Sequence, residues 1–316
     1  MKRLEVTTGT LSGLDPAYLA AKEKLAAGKI PKRAIPKRQY GRTKEKLSII
    51  GFGGMVVKDV MPKEAANFVA EAVDRGVNYF DVAPYYGNAQ NRLGPALKPY
   101  REECFLACKT LERDAARAAK ELHQSLKLLK TDYFDLYQLH ALSDVDEVEQ
   151  AFGPGGAMET ILKAKQDGKI RHIGFSAHSQ EAAHAAMDRF DFDSILFPLS
   201  FPLWIKTKFG PSVYQRAKKA GMGIIALKAM AHQLWPSGEK LRWSKTFYEP
   251  FDEIDMAALG LRFTLHLPVT AMFPPGHWEL LKMALDLAQA GALVPLNDHE
   301  QKIIAKIAKK SESIFP

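Results

Sequence analysis

Cysteine is almost absent from this 316-residue chain, which has only Cys104 and Cys108. Two cannot supply the four thiolates of a cysteine-ligated iron–sulfur cluster. Four positions apart on the extended run "CFLACK", they face the same way but lie too far apart to bridge easily, so both are expected to be small core residues of a reducing compartment. No apolar run approaches the 18 residues of a membrane helix, and the start, "MKRLEVTTGTLSGLDPAYLAAKEKLAAGK", lacks a signal-type apolar core behind its charges. The expectation is a soluble, cytoplasmic protein. There is no zinc-finger spacing and no RNA-binding aromatic signature, so neither a structural metal nor nucleic acid is expected. An early GxGxxG fingerprint is missing too, because "GFGGM" has neither that spacing nor a helix directly behind it, and this argues against a doubly wound dinucleotide fold.

Acidic residues are scarce only at one end. Residues 1–44 hold 11 Lys/Arg against 3 Asp/Glu, which accounts for the whole net charge of +8, and the rest of the chain is balanced at 33 against 33. A basic, partly helical extension over 1–36 is therefore set apart from a neutral body over 37–316. The extension is a candidate arm for docking on an acidic partner. The apolar fraction of 47% is ample for one large core.

Within the body, "RQYGRTKEKLSI" predicts a small hairpin turning at Gly41. Eight short runs rich in β-formers follow: 47–55, 77–82, 104–110, 133–140, 170–178, 193–200, 223–229 and 269–274. Amphipathic stretches separate them, such as "PKEAANFVAEAVDRG", with Pro62 in its first turn and Gly76 behind it, and "DAARAAKELHQSLKLLK". Eight β/α units in one chain of this length predict an α/β fold of the (β/α)8 TIM-barrel type, with a short N-terminal hairpin and the basic extension in front.

Barrel chemistry sits where strands end, because those ends converge on one face. Read in order, they offer Gly53 and Gly54, Asp81, Lys109, His140, Ser176 with His178, and Lys228. A lysine ending the apolar run "CFLACK" is costly to bury alone, and Asp81 is its natural partner. An ammonium beside a phenol favours phenolate, which would lower the pKa of Tyr86 and make it a proton donor, while His140 could polarise a carbonyl oxygen. A metal-dependent hydrolase built on Asp81, His140 and His178 fits poorly, since the first strand ends in glycines and a lysine would repel the cation.

With Asp81 and Tyr86 in "DVAPYYG", Lys109 in "LACKT" and His140 in "LYQLH", the chain resembles the aldo-keto reductases, in their bacterial branch. The similarity runs from about 37 to 290 and includes "GFGGM", "LGPAL", "GKIRHIGFSAH" and "GMGIIALKAMA". The resemblance implies an NAD(P)H-dependent oxidoreductase that reduces an aldehyde or ketone by hydride transfer. Tyr86 would be the proton donor, tuned by Lys109 and Asp81, with His140 positioning the carbonyl. Gly53, Gly54, Ser176, His178, Leu227, Lys228 and Gly276 would hold the cofactor, expected to be NADP with NAD as the other candidate. Met55, Tyr85, Trp204 and Trp235 would line a pocket for a small carbonyl substrate, and the aromatic loops 199–210 and 231–251 suggest an apolar or ring-bearing one. The chain departs from the family pattern where it has His178 in place of an asparagine near Ser176, Leu196 in place of a glutamine, and Leu227 in place of an aromatic. Behind the last strand, "FPPGHWELLKMALDLAQAG" lacks the usual adenosine contacts, which leaves His277 and Lys282 as candidates for a 2′-phosphate. These departures motivate a second reading, a non-catalytic nucleotide-binding or sensor protein that retains the barrel.

Overall fold

A computed structural model describes residues 13–238 and 241–315; residues 1–12 of the expected basic arm lie outside them. In chain order the elements begin with helix α1 (Pro16–Ala26), the antiparallel pair β1 (Lys37–Gln39) and β2 (Lys46–Ser48), and then strand β3 (Phe52–Gly53). Next come α2 (Pro62–Asp74), β4 (Tyr79–Asp81), α3 (Ala89–Leu97), β5 (Phe105–Thr110), α4 (Ala115–Leu129) and β6 (Phe134–Leu142). Helices α5 (Val145–Phe152) and α6 (Ala157–Gln166) lead to β7 (Ile170–Ala177), α7 (Gln180–Arg189), β8 (Ser194–Pro198), α8 (Pro211–Lys219) and β9 (Gly223–Leu227). A second antiparallel pair, β10 (Ala231–Leu234) and β11 (Tyr248–Pro250), precedes α9 (Ile254–His266), β12 (Ala271–Met272), α10 (Trp278–Ala290) and α11 (Asp298–Lys310).

Eight strands, β3 to β9 and β12, form one parallel sheet in chain order. A parallel bridge from Ile50 to Met272 joins its two edges, so the sheet closes into the (β/α)8 barrel. The helices carry the expected local signals. Pro62 opens α2, and Gly76 follows it at φ +90°, a left-handed conformation that suits glycine. The Asp114 carboxylate caps α4 by accepting from Arg117 N.

The expected first strand, 47–55, is divided in two. Leu47 and Ser48 belong to the N-terminal hairpin, and only Phe52–Gly53 enter the barrel sheet. The hairpin is a plug: Tyr40 and Leu47 enter the same interior cluster as Tyr79, Phe105, Leu136, Ile225 and Phe273. A Cβ on Gly223 would stand 2.4 Å from the Tyr40 ring, so the start of β9 must be glycine for the plug to seat. With the bottom sealed, the open end is the one at which the strands finish. Both cysteines are buried and unbridged.

Ahead of the hairpin, α1 lies on the outer wall. Tyr18 is buried and its hydroxyl donates to Asp255 at 2.5 Å, while Lys22 Nζ donates to the same carboxylate at 2.8 Å. Among the described residues no helix is long and apolar enough to cross a membrane.

Candidate active site

Strand alternation puts Asp81 at the end of β4 with its side chain inside the barrel, where Lys109 of β5 and Gln138 of β6 meet it. Lys109 is fully buried and ion-paired to Asp81 Oδ1. Gln138 Nε2 donates to Asp81 Oδ2 at 3.0 Å. The same ammonium donates to the Tyr86 hydroxyl at 3.4 Å, and the ring of His140 meets the Tyr86 ring edge-on at a centroid distance of 5.7 Å. Asp81, Lys109, Tyr86 and His140 therefore form one contiguous polar group on the floor of the open end.

Burial opposes charge on Lys109, but Asp81 and then Tyr86 more than compensate and hold the amine up at about 12. It stays protonated, and the carboxylate it faces accepts two donors. The Tyr86 phenol moves the opposite way from the sequence-based expectation. Lys109 does pull it down, but burial is the larger effect and Asp81 adds to it, so the phenol lies above its ordinary value. At neutral pH it holds its proton beside an ammonium that would stabilise the phenolate once that proton is given away.

His140 is kept well below its usual range, first by burial and then by Lys109, His178 and Arg113, and is a neutral imidazole at neutral pH. Its Nδ1 is buried without a hydrogen-bond partner among the described residues, and Arg113 holds its carbonyl oxygen at 2.7 Å. His178 is lowered to about 4, by burial and then by Lys228. Folding therefore keeps this imidazole neutral where the unfolded chain takes up a proton. Stability from this source is complete above about pH 6.5 and is lost as the pH falls towards 4, where both states are protonated. His140 acts in the same direction. Thermal unfolding between pH 7 and pH 4 should show a falling melting temperature, and His178→Gln should flatten that slope; an identical slope in the variant would refute the assignment.

Above the polar group lies a cavity of about 500 Å³. Its wall includes Gly53, Met55, Tyr85, Ser176, His178, Leu227, Lys228 and Gly276 from among the residues singled out in the sequence, together with Leu196 and Phe273. A Cβ on Gly276 would fall 2.4 Å from Met55 Cβ, so glycine there lets the loop after β12 close down on the turn that follows β3. Gly54 stands behind the wall, packed on Val82.

Two expected pocket residues are elsewhere. Trp204 sits edge-on to Tyr214 and Phe263 in the packing outside the barrel mouth, and Trp235 donates its indole N–H to Thr246 O at 3.0 Å, which braces the connection between β10 and β11. The aromatic from these loops that does line the cavity is Phe247, with Tyr248 beside it. Of the two candidates for a 2′-phosphate, Lys282 is paired to Asp286 at 2.9 Å, and His277 Nε2 accepts from Lys245 N at 3.1 Å.

Lys228 is the unusual group. It has a left-handed backbone (φ +66°), and its ammonium lies over the rings of Phe247 and Tyr248 at 4.6 and 4.7 Å. Burial lowers its pKa to about 8, and among the described residues no carboxylate pairs with it. A strained, desolvated cation facing a cavity is suited to an anionic ligand.

A profile of the Aldo/keto reductase family matches residues 49–248. The chain is 29% identical to L-galactose dehydrogenase of Arabidopsis thaliana over 62% of its own length and 66% of that protein's, and 35% identical to an aldo-keto reductase of Bacillus subtilis over 42% and 44%. It thus spans about half to two thirds of the length of these relatives. Its fold is similar to that of an aldo-keto reductase from Bacillus halodurans in the holo form, with a TM-score of 0.68 and 24% identity over 89% of this chain and 98% of that one. A glycerol dehydrogenase from Gluconobacter oxydans superposes with a TM-score of 0.62 and 20% identity, over 90% and 99%.

Proposed function

Because the chain belongs to the aldo/keto reductase family, we propose that it is an NAD(P)H-dependent oxidoreductase that reduces an aldehyde or ketone to an alcohol, with Tyr86 as the proton donor. The observation that carries the reading is a single buried ammonium, Lys109, shared between Asp81 and the Tyr86 hydroxyl. A general acid needs both a proton to give and a means of stabilising what remains, and this arrangement supplies both.

The cavity fits a nicotinamide nucleotide in character. Leu196 and Leu227 offer apolar surface for a flat ring. Ser176 Oγ accepts from Ala141 N at 2.7 Å and keeps its own proton free to donate to an amide. Lys228 and the closely packed Gly276 loop would take the phosphates. When bound, the reduced cofactor would supply the hydride.

The protein's own groups would do the rest. His140, neutral and edge-on to Tyr86, would donate to the carbonyl oxygen and set its orientation. As negative charge develops on that oxygen, the Tyr86 hydroxyl would pass it a proton. Lys109, kept charged by Asp81, would stabilise the phenolate, and Gln138 would hold the carboxylate in place.

The test is to titrate the protein with NADPH and, separately, NADH while following tryptophan fluorescence. Saturable binding of NADPH is expected, with NADH as the other candidate. The engagement of His277 and Lys282 by protein partners favours a weakened grip on the adenosine end, the observation behind the alternative of a nucleotide-binding sensor. Binding of neither nucleotide would overturn the reductase reading, while binding without turnover of any carbonyl would favour the sensor.

A further inference from the structure

Besides Lys228 the cavity wall carries two more ammonium groups, Lys58 and Lys245, and its only carboxylate among the described residues is Asp81, already occupied by Lys109 and Gln138. These two lysines come from different loops, one after β3 and one between β10 and β11, and both line the cavity. The stem of Lys58 lies across the turn that follows Tyr86: a Cβ on Gly87, itself at φ +58°, would be 3.3 Å from Lys58 Cε. Lys245 reaches over from the β10–β11 connection and donates to Val56 O at 3.1 Å. Burial is the main cause that lowers the Lys245 amine, and the charge of Lys58 adds to it against the opposing influence of Asp59, Glu279 and Glu64.

The loop that presents Lys58 is held rather than loose. Asp59 N donates to Asn88 Oδ1 at 2.8 Å, Arg92 Nε donates to Val60 O at 2.8 Å, and Asp59 takes a left-handed backbone at φ +58°. The carboxylate that pairs with Lys58 is that of Asp59, at 3.9 Å and 66% exposed, a screened and weak contact. Two ammonium groups on one cavity wall repel, and an anion bound there would relieve the repulsion.

We propose that the carbonyl substrate carries an anionic oxygen group, a carboxylate or a phosphate, which Lys58 grips with Lys245 beside it while the carbonyl lies at Tyr86 and His140. This rests on the reductase reading above. The other source of such a group is a phosphate of the cofactor, for which Lys228, whose charge His178 senses, is already placed.

The experiment compares 4-oxobutanoate with butanal, the same chain length with and without a carboxylate, at saturating NADPH and low salt. The wild type should favour the oxo acid in kcat/KM by about tenfold or more, the usual worth of one charge-assisted hydrogen bond. Lys58→Met should remove most of that ratio and Lys58→Arg should retain it, with the Kd for NADPH the same in both. Equal kcat/KM for the two aldehydes in the wild type, or a ratio that Lys58→Met does not move, overturns the inference and leaves the reductase reading standing. Weakened NADPH binding in Lys58→Met with the ratio intact assigns the lysine to a cofactor phosphate and also overturns it. Turnover of neither aldehyde overturns the inference, and the reductase reading falls with it only where no carbonyl of a wider panel is turned over either.

Discussion

Tyr86→Phe should lower kcat/KM for any carbonyl substrate by about 10²–10⁴-fold, the range for removal of a positioned general acid, while the affinity for the nicotinamide nucleotide and the melting temperature stay close to wild type. The selectivity of the loss follows from the geometry. The phenol's hydrogen-bond partner is Lys109 at the long distance of 3.4 Å, and its ring keeps its edge-on packing with His140 when the hydroxyl is removed. Little stability is held in that contact. The ammonium, still paired with Asp81, is not left uncompensated. Steady-state rates with NADPH and a carbonyl panel, combined with fluorescence titration and thermal melting, would check all three quantities. A rate within a few-fold of wild type would remove Tyr86 from the chemistry, and a large drop in melting temperature would mean that the hydroxyl had been structural.

How much of this was legible beforehand depends on what each residue's neighbours are. Asp81, Lys109 and His140 stand out because a charged or polar side chain closes an otherwise apolar run, and barrel topology brings such ends together whatever the loops do. Gln138 was missed although the signal was there. It lies two positions before His140 in "YFDLYQLH", so strand alternation turns both to the interior, where it reaches Asp81.

The failures have a common cause. Trp204 and Trp235 were expected at the mouth because large rings in barrel-mouth loops suggest a pocket, but composition does not say which way a loop folds, and both rings are used in bracing. The direction of the Tyr86 shift was misjudged because the sequence reveals the charge beside the phenol but not how deeply both are buried, and burial is the larger effect. Nothing in the sequence marks Lys58; only the left-handed Asp59, the ties to Asn88 and Arg92, and the Gly87 turn show that it is held against the cavity.

Breaking the buried ion pair should have the largest effect on stability. Lys109→Met leaves the Asp81 carboxylate with the Gln138 amide alone in a site where burial already pushes it up, and Asp81→Asn leaves a fully buried ammonium without its counter-charge. Each single variant should lose about 3–5 kcal/mol of unfolding free energy, the cost of an uncompensated buried charge. The double variant Asp81→Asn with Lys109→Met has no such charge and should lose much less than the two single losses added together, because a neutral pair of similar volume can be nearly as stable as the ion pair. Urea unfolding with an unchanged m-value would measure this, and additive losses would show that the two groups do not act as a unit. The same double variant separates fold from chemistry. Folded but lacking the ammonium beside Tyr86, it should bind NADPH while turning over no faster than Tyr86→Phe. Substantial activity in it would mean that the phenol needs no neighbouring cation to release its proton, and the assignment of Lys109 as the residue that prepares Tyr86 would fall.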